Sequence, residues 1–188
     1  MKSISLVNKK GGVGKSTTLA LLAVYFAKKG KKVGVIDKDA NQDSVTFVEN
    51  LGHESIEIYN SYTKDYDYVL IDTGGGVDAS EAESIEQNSD LILIPTDLDM
   101  LEIKNSVTTT ELFKSKKKVR IIFTRLQKNT QEYKQLATIR SAFSSQTIKC
   151  VVHSKKQYKR VVGNGYGALA VDGIKEMQKL YDEIRKLV

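Results

Sequence analysis

The residues best suited to chemistry stand together in Ile4-Ser-Leu-Val-Asn-Lys-Lys-Gly-Gly-Val-Gly-Lys-Ser-Thr17, an apolar run that passes through a glycine-rich turn into a Lys-Ser pair. Glycines let a backbone curl with its N–H groups pointing inward, so Gly11, Gly12 and Gly14, with Val13 between them, can ring the oxygens of a phosphate. A helix starting near Lys15 would aim the positive end of its dipole at the same anion. Lys15 then reaches the β and γ phosphates of a nucleotide, and Ser16 offers a hydroxyl to Mg²⁺, a hard cation that takes oxygen ligands and usually keeps several waters. Glycine turns are common by themselves. Glycines followed by Lys-Ser at a strand-to-helix junction distinguish a phosphate loop, and they place the expected nucleotide site at Asn8 to Thr17. The general pattern would put glycine where this chain has Lys9.

Such a loop needs a strand to deliver it and a helix to carry it away. Short apolar runs recur at Ile4 to Val7, Val33 to Ile36, Tyr68 to Ile71, Leu91 to Ile94, Val119 to Phe123 and Ile148 to Val152, each too short for a helix and expected as a buried strand. Between most of them lie stretches with helical spacing: Leu19, Leu22, Ala23 and Phe26; Leu98 to Phe113; Ile139 with Phe143. Strand and helix alternate, which predicts an α/β fold, a mainly parallel, doubly wound sheet flanked by helices with right-handed crossovers. Loops at the carboxyl ends of its strands should carry the chemistry. A last helix over Val171 to Val188 would put Ile174, Met177, Tyr181, Ile184 and Val188 on one face, packed on the body.

The bulk properties agree. A chain of 188 residues, 40% hydrophobic and 28% charged, fits one globular domain spanning 1–188. One cysteine, Cys150, can form no internal disulfide, and with His53 and His153 it assembles no metal cluster, so a reducing interior is expected. The start lacks the order of a signal peptide and no segment has about 18 consecutive apolar residues. The net charge of +6 is unevenly spread: residues 1–100 hold 10 Lys and Arg against 16 Asp and Glu, and residues 101–188 hold 19 against 7, giving −6 and +12. That asymmetry suggests a polyanion-facing surface in the second half, beside the plainer reading of a solvated lysine-rich face.

Lys10-Gly-Gly-Val-Gly-Lys15-Ser-Thr17 resembles the deviant Walker A motif of the ParA/MinD group of ATPases, in which a second, signature lysine precedes the glycines. The resemblance implies a P-loop NTPase of the deviant Walker A class that binds ATP with Mg²⁺. Lys10 would be the signature lysine, reaching the phosphates held by a partner subunit so that nucleotide and homodimer form together. A cation entering there neutralises charge developing in phosphoryl transfer, as an arginine finger does. Val33-Gly-Val-Ile-Asp37-Lys-Asp39-Ala-Asn-Gln42 looks like the family's switch I, with Ala40-Asn41 where Pro is usual. By resemblance Asp39 positions or deprotonates the attacking water and Asp37 joins the Mg²⁺ network. Tyr68-Val-Leu-Ile-Asp72-Thr-Gly-Gly-Gly76 looks like Walker B and switch II, with Asp72 holding the metal through water. The likeness continues through Asp90-Leu-Ile-Leu-Ile-Pro95 to Thr124-Arg125, where family members often show Asn-Arg near adenine; Arg125 is the implied base contact.

The partition members of that family use ATP-driven dimers that bind DNA without sequence preference, are released by hydrolysis, and answer to a centromere-binding or cargo-adaptor protein. This chain is similar to the small kind that lacks an N-terminal helix-turn-helix domain, and a cytoplasmic, nucleoid-associated location would follow. Lys155, Lys156, Lys159 and Arg160 form the expected DNA patch, since spacings of three to five residues on a short helix cluster cations. A membrane-associated positioning ATPase of the MinD kind shares every nucleotide motif. The last helix, with Glu176, Asp182 and Glu183 among its lysines and no Trp or Phe, makes a poor membrane anchor. An ATP-dependent metabolic enzyme on the same fold and a nucleotide-binding scaffold also stay open. An electron carrier holding an iron–sulfur cluster does not, because Cys150 alone cannot supply four thiolates even as two copies.

Overall fold

The apolar runs fold as a six-stranded, all-parallel sheet in a computed structural model that describes residues 1–60, 65–143 and 146–188. The strands are β1 (Lys2–Leu6), β2 (Val33–Asp37), β3 (Ile56–Ile58), β4 (Tyr68–Asp72), β5 (Leu91–Thr96) and β6 (Val119–Phe123), in spatial order β3-β2-β4-β1-β5-β6. The chain leaves β1 in one direction and returns to its other side at β5, so the loop after β1 opens at the point where the winding reverses, the usual place for a ligand in such sheets. Register sets the level of the acids: Leu6 pairs with Asp72, and Asp72 with Asp37. Both carboxylates therefore stand beside the start of the phosphate loop.

Helices cover the sheet on both faces, as the alternation predicts. On one face α1 (Lys15–Lys28), α2 (Asp43–Leu51), α7 (Lys156–Asn164) and α8 (Val171–Leu187) close over Ile4, Leu6, Val35 and Leu70. On the other, α3 (Ala79–Gln87) and α6 (Leu136–Ala142), with Phe113 just beyond α4 (Met100–Glu111), cover Val7, Ile92, Ile94 and Ile121. A single turn, α5 (Gln131–Lys134), precedes α6. Phe26 is wholly buried, its ring 4.3 Å from Tyr68 and 5.4 Å from Tyr181, and its truncation to Ala would cost about 3–5 kcal/mol. The predicted stripe of α8 packs as read: Met177, Tyr181 and Ile184 are buried, and Leu180 joins them.

Two expectations about strands are corrected. Ile148 to Val152 is not a strand. Ile148 and Val152 donate their N–H groups to Ile121 and Phe123 as a seventh strand would, but the amides of Lys149 and Cys150 turn to the carboxylate of Glu183 on α8, at 2.7 and 2.8 Å. That side chain satisfies the donors outside the ladder, so only isolated bridges remain. The strand at Ile56–Ile58 was not anticipated, because three residues carry too little periodicity. Over β2 and β4, on the α3 side of the sheet, Tyr59 and Tyr66 pack on Val69, Ile71 and Ile36. Gly34 permits this: a Cβ there would meet the two rings at 3.1 and 3.2 Å.

Candidate nucleotide-binding site

The loop between β1 and α1 is anchored at both ends. Asn8, wholly buried, donates from Nδ2 to the Pro95 carbonyl at 2.7 Å and accepts the Lys10 N–H at 2.9 Å. Thr124 donates its hydroxyl to the Val13 carbonyl at 2.8 Å. Gly12 and Gly14 take φ of 78° and 94°, a region closed to most side chains, which is why the turn needs glycine there. Gly14 is the N-cap of α1, with no side chain capping the helix and no acid in its first turn. By contrast α3 and α4 are capped by Asp78 and Asp99. The first amides of α1 are thus left for an anion from outside. Lys15 is 6% exposed, and its ammonium has no hydrogen-bond or ion-pair partner among the described residues. A buried cation beside uncapped amides suits a phosphate.

The acids gather next to it. Asp72 is fully buried; Ser44 donates its hydroxyl to Oδ2 at 2.9 Å, while Oδ1 is buried with no hydrogen bond of normal geometry. Burial pushes the Asp72 carboxyl above its ordinary range, and the hydroxyls of Ser16 and Ser44 and the charge of Lys15 pull it back in part. An orphaned carboxylate oxygen facing a hydroxyl is what Mg²⁺ would relieve, so the donor set of Ser16 and Asp72 fits that ion. No cluster of three or more His, Cys, Asp or Glu exists among the described residues, and Mg²⁺ held through waters and phosphates needs none. Asp37 is otherwise engaged: Oδ1 accepts the Asp39 N–H at 2.8 Å, and Oδ2 accepts those of Ser44 and Val45 at 2.8 and 3.2 Å, tying the end of β2 to the start of α2. Asp37 thereby braces Ser44 and, through the Ser44 hydroxyl, Asp72.

Asp39 accepts the Asn41 N–H at 3.0 Å and lines a cleft of about 310 Å³ with Thr73, Gly74 and Gly75. The loop after β4 is tied back to the phosphate loop, since Gly76 donates to the Lys9 carbonyl at 3.0 Å and Thr73 to that of Leu6. Lys10 stands at the rim, its ammonium bonded to Glu102 in the first turn of α4, a carboxylate whose side chain is only 9% exposed. That contact holds the Lys10 pKa above the ordinary lysine value.

Behind the phosphate loop lies a second cleft, of about 320 Å³, lined by Gly12, Gly14, Thr17, Arg125, His153 and Tyr158 among others. Arg125, at φ 60°, donates from Nη1 to the Gly12 carbonyl at 2.5 Å, so the residue expected near the base does stand against the phosphate loop. The predicted basic patch divides. Lys156, Lys159 and Arg160 are exposed on α7. Lys155 is its N-cap, 16% exposed, with Nζ 2.8 Å from Asp172 and 3.3 Å from Glu176, which removes it from the outward-facing cations. Glu102, Ser44, His153 and Glu176 escaped sequence reasoning; none lies in a motif, and only contacts across the fold reveal them.

A glycine loop joining a parallel strand to an uncapped helix, with two acids on the neighbouring strand ends, defines a P-loop nucleotide-binding protein. The chain belongs to the family described as CobQ/CobB/MinD/ParA nucleotide binding domain, which it matches over residues 4–166. Protein virC1 of Rhizobium radiobacter is 33% identical over 128 residues, an alignment covering 58% of this chain and 54% of that one; the chain spans about half the length of this relative. Two solved structures share the fold. One, from Borrelia burgdorferi B31, is described as a plasmid partition protein bound to AMPPNP (TM-score 0.74, 21% identity, covering 100% of this chain and 99% of that one). The other is the cell division ATPase MinD of Pyrococcus furiosus (TM-score 0.78, 17% identity, covering 100% and 99%).

Proposed function

We propose that this chain is an ATP-hydrolysing molecular switch of the DNA-partition kind. It binds ATP with Mg²⁺, pairs with a second copy through Lys10, holds DNA without sequence preference, and is released on hydrolysis stimulated by a cargo-adaptor protein. The observation that carries the reading is the conjunction at one strand end of an unpartnered, buried Lys15, the uncapped N-terminus of α1 and the orphaned Oδ1 of Asp72. These groups hold a phosphate chain and its cation. Ser16 and Asp72 would hold Mg²⁺, which neutralises phosphate charge when bound.

The residues then have separate tasks. Lys15 and the amides of Gly12 to Ser16 bind the phosphates; Asp39, on a loop packed against switch II, orients the attacking water; Arg125 and the cleft behind Gly12 take the nucleoside. Lys10 crosses to the partner subunit's phosphates once it leaves Glu102. The exposed Lys156, Lys159 and Arg160 supply cations for DNA phosphates, and affinity resting on them falls with salt. A nucleoid-associated location goes with this reading; no described helix is long and apolar enough to cross a membrane.

The test is binding of the purified chain to random-sequence duplex DNA with ATP, ADP or no nucleotide at two salt concentrations. ATP-dependent, salt-sensitive binding is expected. Absence of DNA binding in every state, with ATP-dependent capture on anionic liposomes, would replace this reading with the membrane-positioning one.

A further inference from the structure

One wall of the cleft behind the phosphate loop is organised by a carboxylate that no motif contains and that does not itself line the cleft. Glu176, in the second turn of α8, is 9% exposed, and both its oxygens are filled. Oε1 accepts the backbone N–H of His153 at 2.9 Å and the Tyr158 hydroxyl at 2.6 Å. Oε2 lies 2.6 Å from Nδ1 of His153 and 3.3 Å from the Lys155 ammonium. His153, Lys155 and Tyr158 all face the cleft, opposite Gly12, Gly14 and Arg125. The outer ring nitrogen of His153 is braced in turn by the Tyr133 hydroxyl at 3.2 Å. A buried carboxylate is expensive unless each oxygen is paired, and here four donors from one short segment pair it. The segment follows the stretch whose strand ladder fails at Lys149 and Cys150; its backbone is tied to the body at Val152 and Ser154, through Leu126, while the His153, Lys155 and Tyr158 side chains take their fixed places from Glu176.

We propose that Glu176 is a positioning residue for the nucleoside end of the site: it fixes His153, Lys155 and Tyr158 as one wall, so that base and ribose bind to a preformed surface while the phosphates bind elsewhere. This rests on the nucleotide reading above. Preformed walls raise affinity by sparing the ordering cost at binding, and the wall is distinct from the amides and lysine that take the phosphates. Glu176 should therefore affect nucleotides and leave a bare phosphate chain alone, a contrast that a merely structural tie between α7 and α8 would not produce.

The experiment is calorimetric titration of the full chain, with Mg²⁺ present throughout, by ATP and separately by inorganic tripolyphosphate, for the wild type, Glu176→Gln and Glu176→Ala. The expected result is ATP binding weakened about tenfold in Glu176→Ala and less in Glu176→Gln, with tripolyphosphate binding unchanged in both. Unchanged ATP binding, or equal losses for both ligands, would overturn the positioning role. If Glu176→Ala does not fold, Glu176→Gln and Tyr158→Phe preserve volume and read the same contrast. A wild type that binds tripolyphosphate but not ATP would overturn this inference and leave the phosphate loop standing. A wild type that binds neither would overturn the nucleotide reading itself.

Discussion

Glu102, in the first turn of α4, holds the ammonium of Lys10 at the rim of the phosphate loop, and its other oxygen, Oε2, is buried without a partner. In the single chain the lysine is thus engaged at home. Under the proposed pairing with a second copy, moving Lys10 away would leave Glu102 with an unpaired buried charge, a cost that nucleotide binding must offset.

Lys10→Ala is expected to keep ATP binding and lose ATP-induced dimerisation, measured by light scattering on size-exclusion chromatography. Glu102→Gln should act in the opposite direction, allowing dimers with ATP at severalfold lower protein concentration. Normal dimerisation by Lys10→Ala would remove the signature role from that residue.

Asp72 yields a prediction about stability with a definite sign. Burial raises its folded pKa, so between the unfolded and folded values the native state keeps a proton that the unfolded chain has released. Ligand-free stability therefore declines as pH rises through that window. Asp72→Asn should raise the ligand-free melting temperature at pH 7 and abolish the extra stabilisation by Mg²⁺ with ATP. Thermal scans with and without nucleotide check both halves.

Asp39→Ala is predicted to bind ATP normally, lose hydrolysis and persist as an ATP-bound dimer on DNA. Phosphate release and DNA retention are the measurements. Unchanged turnover would take Asp39 off the catalytic list.

Gly14→Ala should strain the backbone at φ 94°, since the added Cβ itself would lie in ordinary contact, 3.6 Å from the Thr124 hydroxyl oxygen. A destabilisation of about 1–2 kcal/mol in urea titrations is expected, together with loss of nucleotide binding.

Replacing Lys156, Lys159 and Arg160 by Ala should lower the slope of log affinity for DNA against log salt by about 1 for each DNA phosphate that is no longer neutralised, leaving ATP binding intact. Lys155→Ala should act differently, because its ammonium serves Asp172 and Glu176: its effect belongs in ATP affinity and stability, with little change in the salt slope.

Local chemistry was enough to determine the phosphate loop, the acids at the ends of β2 and β4, five of the six strands and the buried stripe of α8. Glycine spacing, apolar runs and helical periodicity are short-range properties, and each leaves a direct mark on neighbouring residues. Tertiary structure decided the rest. The pairing of Lys10 with Glu102 joins residues 92 apart in the chain, and the network around Glu176 spans Tyr133 to α8. Whether Ile148 to Val152 became a strand depended on Glu183, which takes its amides from 33 and 34 residues away. Lys155 and Lys156 are identical neighbours in sequence, and only the position of α8 ties one, partly buried, to Asp172 and Glu176 and leaves the other facing solvent. A side chain's type sets what it can bind; which partner stands within 3 Å is a property of the packed fold.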